Sequence, residues 1–224
     1  RLFPLLSLAL ICARPGQTPS SWGSELADAA RLGAEHVSPY QLTIEAGTAF
    51  ARARDRGRWT PPDEDLAADL YETTQTVLDG LGFTAYEVSN HARGAAARSV
   101  HNLAYWRGWD YVGAGPGGHG RLTIGGVRHA AETPRRIADY IAAAGAPPGL
   151  EPLTPRQAAE ERLLMGLRSS EGVEMAELGP LDIDPDHLSG LAAAGLVTVS
   201  DGRLVATPAG RPLLDRITAE LAAG

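Results

Sequence analysis

The sequence predicts an α/β fold in two domains. Its first part contains a strand, a helix and a second strand within about 35 residues, which is the pattern of a βαβ unit with a parallel sheet. A segment rich in proline and glycine follows at residues 145–155. Beyond it, the pattern changes to helix, helix, β-hairpin and helix. We therefore predict a larger α/β domain at residues 1–146 and a small winged-helix-like α+β domain at residues 152–224.

The composition narrows the class of protein. The chain has 224 residues, of which 44% are apolar, so it can bury a core. Its formal net charge of -7 argues against general nucleic-acid binding, which depends on a basic surface. Cys12 is the single cysteine, so no disulfide can form within the chain. These features predict a cytoplasmic protein that does not bind nucleic acid.

The first thirteen residues allow two interpretations. Arg1 followed by an apolar run resembles a secretory signal, although the run is too short to span a bilayer. The alternative is a buried parallel strand from Leu5 to Ala13, which runs into a turn at Pro15–Gly16. The βαβ pattern that follows favours the strand. The chain also begins without Met, which is typical of a fragment.

Two helices of the first domain are predicted from their caps and apolar faces. Thr18 is a candidate N-cap of the first helix, with Ser21 as a rival, and Pro19 suits the first turn. Gly33 ends this helix, and its predicted apolar face carries Trp22, Leu26, Ala29, Ala30 and Leu32. A second helix is predicted over residues 63–81, with Leu66, Leu70, Thr73, Val77 and Leu81 on one face. The segment FTAYEVSN then predicts a short strand.

A hairpin and a helix are predicted at the end of the first domain. The segment RLTIGGVRHAA predicts a hairpin that turns at Gly125–Gly126. Thr133 is predicted to cap a helix that runs from Pro134 to about Ala144.

The segment YVGAGPGGHG predicts a strand that enters a glycine-rich loop. The loop matches G-x-G-x-x-G at Gly113, Gly115 and Gly118. A dinucleotide site requires a helix at the third glycine, and a strand-like segment follows here, so we exclude dinucleotide binding. Two interpretations stay open, a tight turn at a strand end and a close approach of the backbone to a ligand.

The elements of the C-terminal domain are predicted from residues that begin and end helices and from one hairpin turn. Thr154 caps the helix in TPRQAAEERLLMGLRS, and Gly195 ends the helix in DPDHLSGLAAAGLV. Asp201–Gly202 is a strong signal for a two-residue hairpin turn, and TPAGRPLLDRITAEL predicts the last helix. The second helix is acidic and rich in alanine, which argues against DNA binding by this winged-helix-like module. We expect the module to fold by itself from about Pro152.

The segment HNLAYW, residues 101–106, groups four side chains that can hold a flat ligand. In a helix, His101 and Tyr105 share one face, and Asn102 and Trp106 form the neighbouring row. Imidazole and tyrosinate are both ligands of haem iron, and aromatic rings pack well on a porphyrin. The alternative is a capped turn whose aromatic rings close over the sheet. The residues alone leave both interpretations open.

Two carboxylates are further candidates for a site. Glu45 and Glu87 each follow a strand-like segment, and strand ends face the active site in a (β/α) barrel. A structural salt bridge explains either residue equally well.

Five segments in this order and spacing resemble the HemW-type haem chaperones. This family is related to oxygen-independent coproporphyrinogen III oxidase in the radical SAM superfamily. The segments are ARPGQT, HVSPYQLTIEAGTAF, GFTAYEVSNHAR, HNLAYW and YVGAGPGGHGR. Each is weak alone, but together they extend the resemblance from about Ser7 to the C-terminus.

The resemblance implies a fold, ligands and site residues. The fold is the C-terminal portion of a partial (β/α) radical SAM barrel, followed by the small domain described above. The HNxxYW motif of the family, here His101, Asn102, Tyr105 and Trp106, is associated with haem binding. The loop from Gly115 to Arg121 would lie near S-adenosylmethionine (SAM).

Further site residues and partners follow from the same resemblance. Leu42 and His119 align with SAM contacts of the oxidases. The implied partners are haem and the proteins that accept it, and a homo-oligomer stays open.

The sequence departs from the family in its cofactor ligands. The family carries Cys-x-x-x-Cys-x-x-Cys, whose thiolates hold a [4Fe–4S] cluster, and the single Cys12 cannot replace three ligands. Ala9 stands where the oxidases have an aspartate that contacts the cofactor, which weakens the expectation of SAM binding. We therefore interpret the chain as the C-terminal part of such a protein, with an exposed sheet edge.

Three functions from different classes stay open. The first is a haem chaperone that passes haem to acceptor proteins. The second is a radical SAM enzyme of porphyrin biosynthesis that resembles coproporphyrinogen III oxidase. The third is an inactive fragment. The missing cluster ligands count against the enzyme.

Overall fold

The computed structural model describes residues 5–143, 146 and 149–223. The chain divides into two compact units, Arg1–Ser99 and Val100–Gly224. The boundary at 146–152 that the sequence predicts lies inside the second unit, and the division into domains stays a prediction. No helix in the described part of the chain has the length and apolar character needed to cross a membrane.

The first unit contains a mixed four-stranded sheet. Its strands are β1 (Ser7–Cys12), β2 (His36–Gln41), β3 (Thr84–Glu87) and β4 (Asn90–Ala92), in the order β1-β2-β4-β3. β1 and β2 pair in parallel, which confirms the predicted βαβ unit and a strand in the N-terminal run. The predicted burial of this strand is wrong, because Ile11 is 48% exposed and only alternate residues face the core. β1 lies at an edge of this sheet, as expected.

The segment FTAYEVSN contains the predicted short strand, β3, but it also contains a turn and the first residue of β4, which completes a hairpin. β4 runs antiparallel to both β2 and β3, so the prediction of a purely parallel sheet is wrong. The physical reason is the turn at Val88–Ser89, which reverses the direction of the chain directly after β3.

Three helices of the first unit are α1 (Pro19–Arg31), α2 (Ala49–Asp55) and α3 (Glu64–Gly80). Thr18 and Ser21, the two rival caps, act together in one capping box at the start of α1. Asp63 caps α3 by accepting a hydrogen bond from the backbone N–H of Leu66. The sequence did not predict α2, whose arginines hide its short apolar face.

α1 and α3 pack together in the first unit. The indole N–H of Trp22 donates to the Thr74 hydroxyl over 2.7 Å. Leu32 is 70% exposed, so its predicted place in the core is wrong. The core cluster contains Cys12, Ala13, Trp22, Leu26, Ala30, Ala34, Val37, Leu70, Leu78 and Phe83. Residues Leu66, Val77 and Leu81 pack at its margin.

Hydrogen bonds connect four polar groups in this unit, from Ser7 through His36 and Tyr86 to Ser99. The His36 imidazole lies 2.8 Å from the Ser7 hydroxyl through Nδ1 and 2.8 Å from the Tyr86 hydroxyl through Nε2. The backbone N–H of Ser99 donates to the Tyr86 hydroxyl over 3.2 Å. Burial lowers the pKa of the His36 imidazole, which favours its neutral form inside this network.

A second buried network holds the hairpin turn. Asn90 accepts a hydrogen bond from the Ser38 hydroxyl and donates its amide N–H to the Glu87 carboxylate. The backbone N–H of Ser89 also donates to Glu87, over 3.0 Å. Glu87 and Asn90 are each 2% exposed. The Glu87 carboxylate therefore has a structural role in the turn.

The second unit begins with a helix and a three-stranded antiparallel sheet. These elements are α4 (Val100–Trp106), β5 (His119–Ile124), β6 (Val127–Glu132), α5 (Ile137–Ala142) and β7 (Gly149–Pro152). The predicted hairpin is confirmed, because β5 and β6 pair around Gly125 and Gly126, which have φ of +58° and +81°. β7 pairs with β6 within the segment that was predicted to be a linker. Residues 145, 147 and 148 of that segment lie outside the described part, as does Ala144, the predicted end of the helix from Pro134.

The remaining elements confirm the order helix, helix, hairpin, helix. They are α6 (Pro155–Gly166), β8 (Val173–Glu174), α7 (Pro185–Ala193), β9 (Val197–Ser200), β10 (Arg203–Ala206) and α8 (Leu214–Ala222). Thr154 forms a capping box with Gln157 at the start of α6. The sequence did not predict β8, which adds a third strand to the β9–β10 hairpin. The buried core of this part includes Leu163, Leu167, Leu178, Leu181, Leu204, Ile217 and Leu221.

Candidate functional site

The HNLAYW segment is helical, as one of its two interpretations required. α4 is seven residues long and buries Leu103. It ends where the backbone N–H of Gly108 donates to the carbonyl of Tyr105 and that of Trp109 to the carbonyl of Ala104. Gly108 has a φ of +66°, a left-handed conformation that favours glycine and turns the chain out of the helix.

Three aromatic rings form a row on this helix and the segment that follows it. His101 and Tyr105 contact edge to face with their ring centroids 4.9 Å apart, as predicted for residues four apart on a helix. Tyr105 in turn contacts Tyr111, with centroids 4.6 Å apart. His101 is exposed, whereas the two tyrosines are half-buried. Burial raises the pKa of the Tyr111 phenol, so Tyr111 stays protonated at neutral pH.

Trp106 lies in a different environment from the row. Its ring packs against the Arg168 guanidinium, 5.9 Å from the ring centroid. It lines a cleft of about 310 Å³ together with Arg107, Arg162 and Glu171, while Tyr105 lines another cavity. The indole N–H of Trp106 is buried and finds no acceptor within the described residues. Asn102, its predicted neighbour, is half-buried.

Arg162 of α6 holds the C-terminal end of α4. Its Nη1 donates to the carbonyl of Trp106 over 3.0 Å, while Nε and Nη2 donate to the Glu177 carboxylate over 2.8 and 3.1 Å. These hydrogen bonds hold the pKa of the Glu177 carboxyl below its usual range. A Cβ at Gly108 would stand 2.8 Å from Cδ of Arg162. Glycine at position 108 therefore leaves the space that the Arg162 side chain occupies.

A second contact joins α4 to the same region. The guanidinium of Arg107 forms a two-point pair with the Glu171 carboxylate, over 2.8 and 2.7 Å. Sequence reasoning missed both arginine contacts, since the partners lie more than fifty residues apart.

The glycine-rich loop is built around a threonine. The Thr133 hydroxyl donates to the carbonyl of Gly115 over 2.6 Å and accepts from the N–H of Gly118 over 2.8 Å. Thr133 therefore fastens the loop, and its prediction as a helix cap is wrong. α5 begins later, at Ile137, after Arg136 as the N-cap residue.

Gly113 shows why the loop needs glycine. A Cβ there would lie 2.4 Å from the backbone oxygen of His119. This close packing of backbone on backbone favours the interpretation of the loop as a tight turn. His119 itself begins β5, with its side chain 54% exposed and its Nε2 3.9 Å from Oε1 of Glu132.

The two residues aligned with SAM contacts lie in different units. Leu42 follows β2 in the first unit, where its N–H donates to the carbonyl of Cys12 over 3.0 Å. His119 belongs to the second unit. Glu45 precedes α2, and its backbone carbonyl accepts the Thr48 hydroxyl over 2.7 Å while its side chain is exposed. The SAM contacts stay predictions.

The residues of this chain do not fit an iron–sulfur cluster. Cys12 is buried in the core of the first unit, and burial raises the pKa of its thiol, which disfavours the thiolate that iron requires. Within the described ranges, no three His, Cys, Asp or Glu side chains are grouped so that they could hold a metal ion. No step through a cluster is assigned to this chain.

Comparisons with known proteins identify a matching domain family and several relatives. Residues 153–213 match the family model described as HemN C-terminal domain. The chain is 36% identical over 224 residues to Heme chaperone HemW of Mycobacterium tuberculosis (strain ATCC 25618 / H37Rv), covering 98% of this chain and 55% of the relative. It is 34% identical over 219 residues to Heme chaperone HemW of Bacillus subtilis (strain 168), covering 94% of this chain and 57% of the relative.

The fold has a counterpart among solved structures. Coproporphyrinogen III oxidase (HemN) from Escherichia coli, a radical SAM enzyme, superposes with a TM-score of 0.70 at 19% identity. The match covers 98% of this chain and 55% of that enzyme, which confirms the predicted fold class. The chain spans about half the length of the curated relatives that it matches. Over that length, the chain is similar to proteins named Heme chaperone HemW, and its residues 153–213 match the HemN C-terminal domain.

Proposed function

We propose that this chain binds haem on α4 and acts as a haem chaperone that passes haem to acceptor proteins. The observation that carries the proposal is the exposed imidazole of His101, which contacts the ring of Tyr105 edge to face. A neutral imidazole that is open to solvent can bind haem iron without first displacing a buried partner. The names of the relatives, Heme chaperone HemW, support the same function.

The residues of α4 take separate roles in this proposal. His101 donates a ring nitrogen to the iron, and Tyr105, backed by Tyr111, offers an aromatic surface to the porphyrin. Trp106, whose ring also contacts the Arg168 guanidinium, covers the macrocycle together with Tyr105. Asn102 holds either the local turn or a propionate of the haem in this proposal. The haem supplies the open coordination position, and the chain supplies the ligand and the apolar contact.

We also propose that the protein binds SAM. His119 is exposed directly after the glycine-rich loop, so its imidazole is accessible to a cofactor. Leu42 and His119 are proposed contacts of SAM in a protein that also holds the cluster. The residues of this chain do not favour the alternative of a radical SAM oxidase, because the single cysteine cannot supply three thiolates. Delivery to acceptor proteins in the cytoplasm, and assembly into a homo-oligomer, are further parts of the proposal.

A haemin titration followed at the Soret band tests the function. We expect the parent chain to bind, His101→Ala to weaken binding by about tenfold or more, and Tyr105→Phe to weaken it less. His187→Ala is the matched control, since His187 is an exposed histidine on α7. The assignment of the ligand fails if His101→Ala titrates like the parent. If the parent chain leaves the Soret band of free haemin unchanged, the proposal of haem binding is wrong.

A further inference from the structure

A small cavity lies beside Tyr105 in the second unit. Its volume is about 30 Å³, and its wall includes Tyr105, Tyr111, Arg121, Arg128, Glu161 and Arg162. A space of this size holds about two water molecules or one carboxylate group. Three guanidinium groups and two phenols in one wall make it a place for an anion that accepts hydrogen bonds.

Two of the three arginines are already committed. Arg121 donates to the Glu161 carboxylate through Nε, over 2.9 Å, and through Nη2, over 2.5 Å. Arg162 is occupied by Glu177 and by the carbonyl of Trp106. These arginines shape the cavity but have little left to offer a ligand.

Arg128 is different, because one of its donors is unused. Its side chain is 15% exposed, and its buried Nε–H makes no hydrogen bond to any part of the chain that the structure describes. Oε2 of Glu161 is 3.9 Å away, which is beyond hydrogen-bond distance. A buried donor on a charged group that lacks an acceptor is unfavourable, so the position favours an incoming acceptor.

Two carboxylates, Asp110 and Glu161, lie near Arg128. Asp110 lies 3.3 Å from Nη1 of Arg128, on its partly exposed side. The same carboxylate accepts the backbone N–H and the hydroxyl of Thr123, over 2.7 and 2.8 Å, so much of its charge is already compensated. Glu161 faces the cavity but is held by Arg121. A carboxylate that binds here would meet some repulsion from both, so we expect moderate affinity.

We propose that this cavity is a carboxylate-binding site centred on Nε of Arg128, and that it receives a propionate of the porphyrin. The planar carboxylate fits the fork of a guanidinium, and a phenol can donate a further hydrogen bond. The identity of the ligand rests on the proposed haem binding, because Tyr105 belongs both to the aromatic row and to the cavity wall. The site itself rests on the cavity and its unused donor.

The test compares haemin with haemin dimethyl ester, in which both propionates are blocked. The parent should bind haemin about tenfold more tightly than the ester, which corresponds to one charge-assisted hydrogen bond. Arg128→Gln should abolish this preference while it leaves the affinity for the ester unchanged. Arg136→Gln, which removes an exposed arginine elsewhere in the same unit, should behave like the parent.

The following outcomes would contradict the assignment of a propionate site. Equal binding of haemin and ester by the parent would show that no propionate is recognised. Equal weakening of both ligands in Arg128→Gln would show that Arg128 is structural. If the parent binds neither porphyrin, the proposed haem function fails, and the cavity is tested alone with sodium propionate and the nuclear magnetic resonance signal of the Arg128 Nε–H. A saturable shift of that signal supports the site, and an unchanged signal removes it.

Discussion

The segments YEVSN and HNLAYW both contribute to the resemblance seen in the sequence, but their polar groups lie in opposite environments. In YEVSN, Tyr86, Glu87 and Asn90 are almost completely buried and bond to one another or to neighbouring strands. In HNLAYW, the His101 imidazole is exposed, and the helix is fixed from below by arginine–glutamate pairs. A polar motif whose groups satisfy one another contributes to stability, whereas one that keeps an exposed imidazole has a group left for a ligand.

The two asparagines of the chain, Asn90 and Asn102, give the largest expected contrast, since one belongs to each motif. Asn90→Ala should lower the free energy of unfolding by about 3 kcal/mol, because it leaves the Glu87 carboxylate and the Ser38 hydroxyl buried with fewer partners. Asn102→Ala, at a half-buried position, should cost less than about 1 kcal/mol. Urea denaturation followed by circular dichroism measures both. An equal or larger loss in Asn102→Ala would reverse the comparison.

Gly108→Ala should have the next largest effect. It combines the cost of a positive φ, about 1–2 kcal/mol, with a Cβ that pushes Arg162 away from the end of α4. Gly195→Ala is the matched control, because Gly195 also has a positive φ, +72°, but open space around its Cβ position. We expect Gly108→Ala to lose about 1 kcal/mol more than the control and to weaken haemin binding as well. Thermal melts and haemin titrations that do not distinguish the two variants would contradict the role of Arg162.

The smallest expected effect is a pH dependence of stability from His36, whose imidazole contacts Tyr86 of YEVSN. Burial lowers the pKa of His36 in the folded chain, so the unfolded chain takes up the proton more readily. Stability should therefore be highest above the ordinary histidine pKa of about 6.5 and fall below it, by at most about 1.4 kcal/mol per pH unit. Melting temperatures at about pH 7.5 and about pH 5.5 are compared in the parent and in His36→Gln. An undiminished pH dependence in the variant would show that other groups cause it.

Local signals predicted the helices well, and they failed where distant contacts decide the structure. Thr18, Asp63 and Thr154 begin helices as their side chains predict, because a cap depends on residues three positions away. Thr133 carries the same signal in front of a proline, yet the backbone of the glycine-rich loop takes its hydroxyl. The turn after β3 and the strand β4 were missed, since β4 has only three residues.

The candidate site was predictable to the same degree. The helical pairing of His101 with Tyr105 follows from their spacing, and the structure confirms it. The contacts of Arg162 and Arg128 were not predictable, because they join residues that are far apart in sequence. The haem-binding role of the motif stays a prediction.

The hydrogen bond from Arg162 to Trp106 has a consequence for chimeric proteins. An exchange of the C-terminal domain at residues 146–152 would replace Arg162 and Glu177 together but leave Trp106 and Gly108 with the other parent. The side chain at position 162 and the helix α4 would then come from different parents, so the hydrogen bond to the Trp106 carbonyl could be lost. A junction between Ser99 and Val100, where the two units divide, transfers all four residues as one set. The choice of junction thus decides whether a chimera takes α4 alone or α4 together with Arg162 and Glu177 from the same parent.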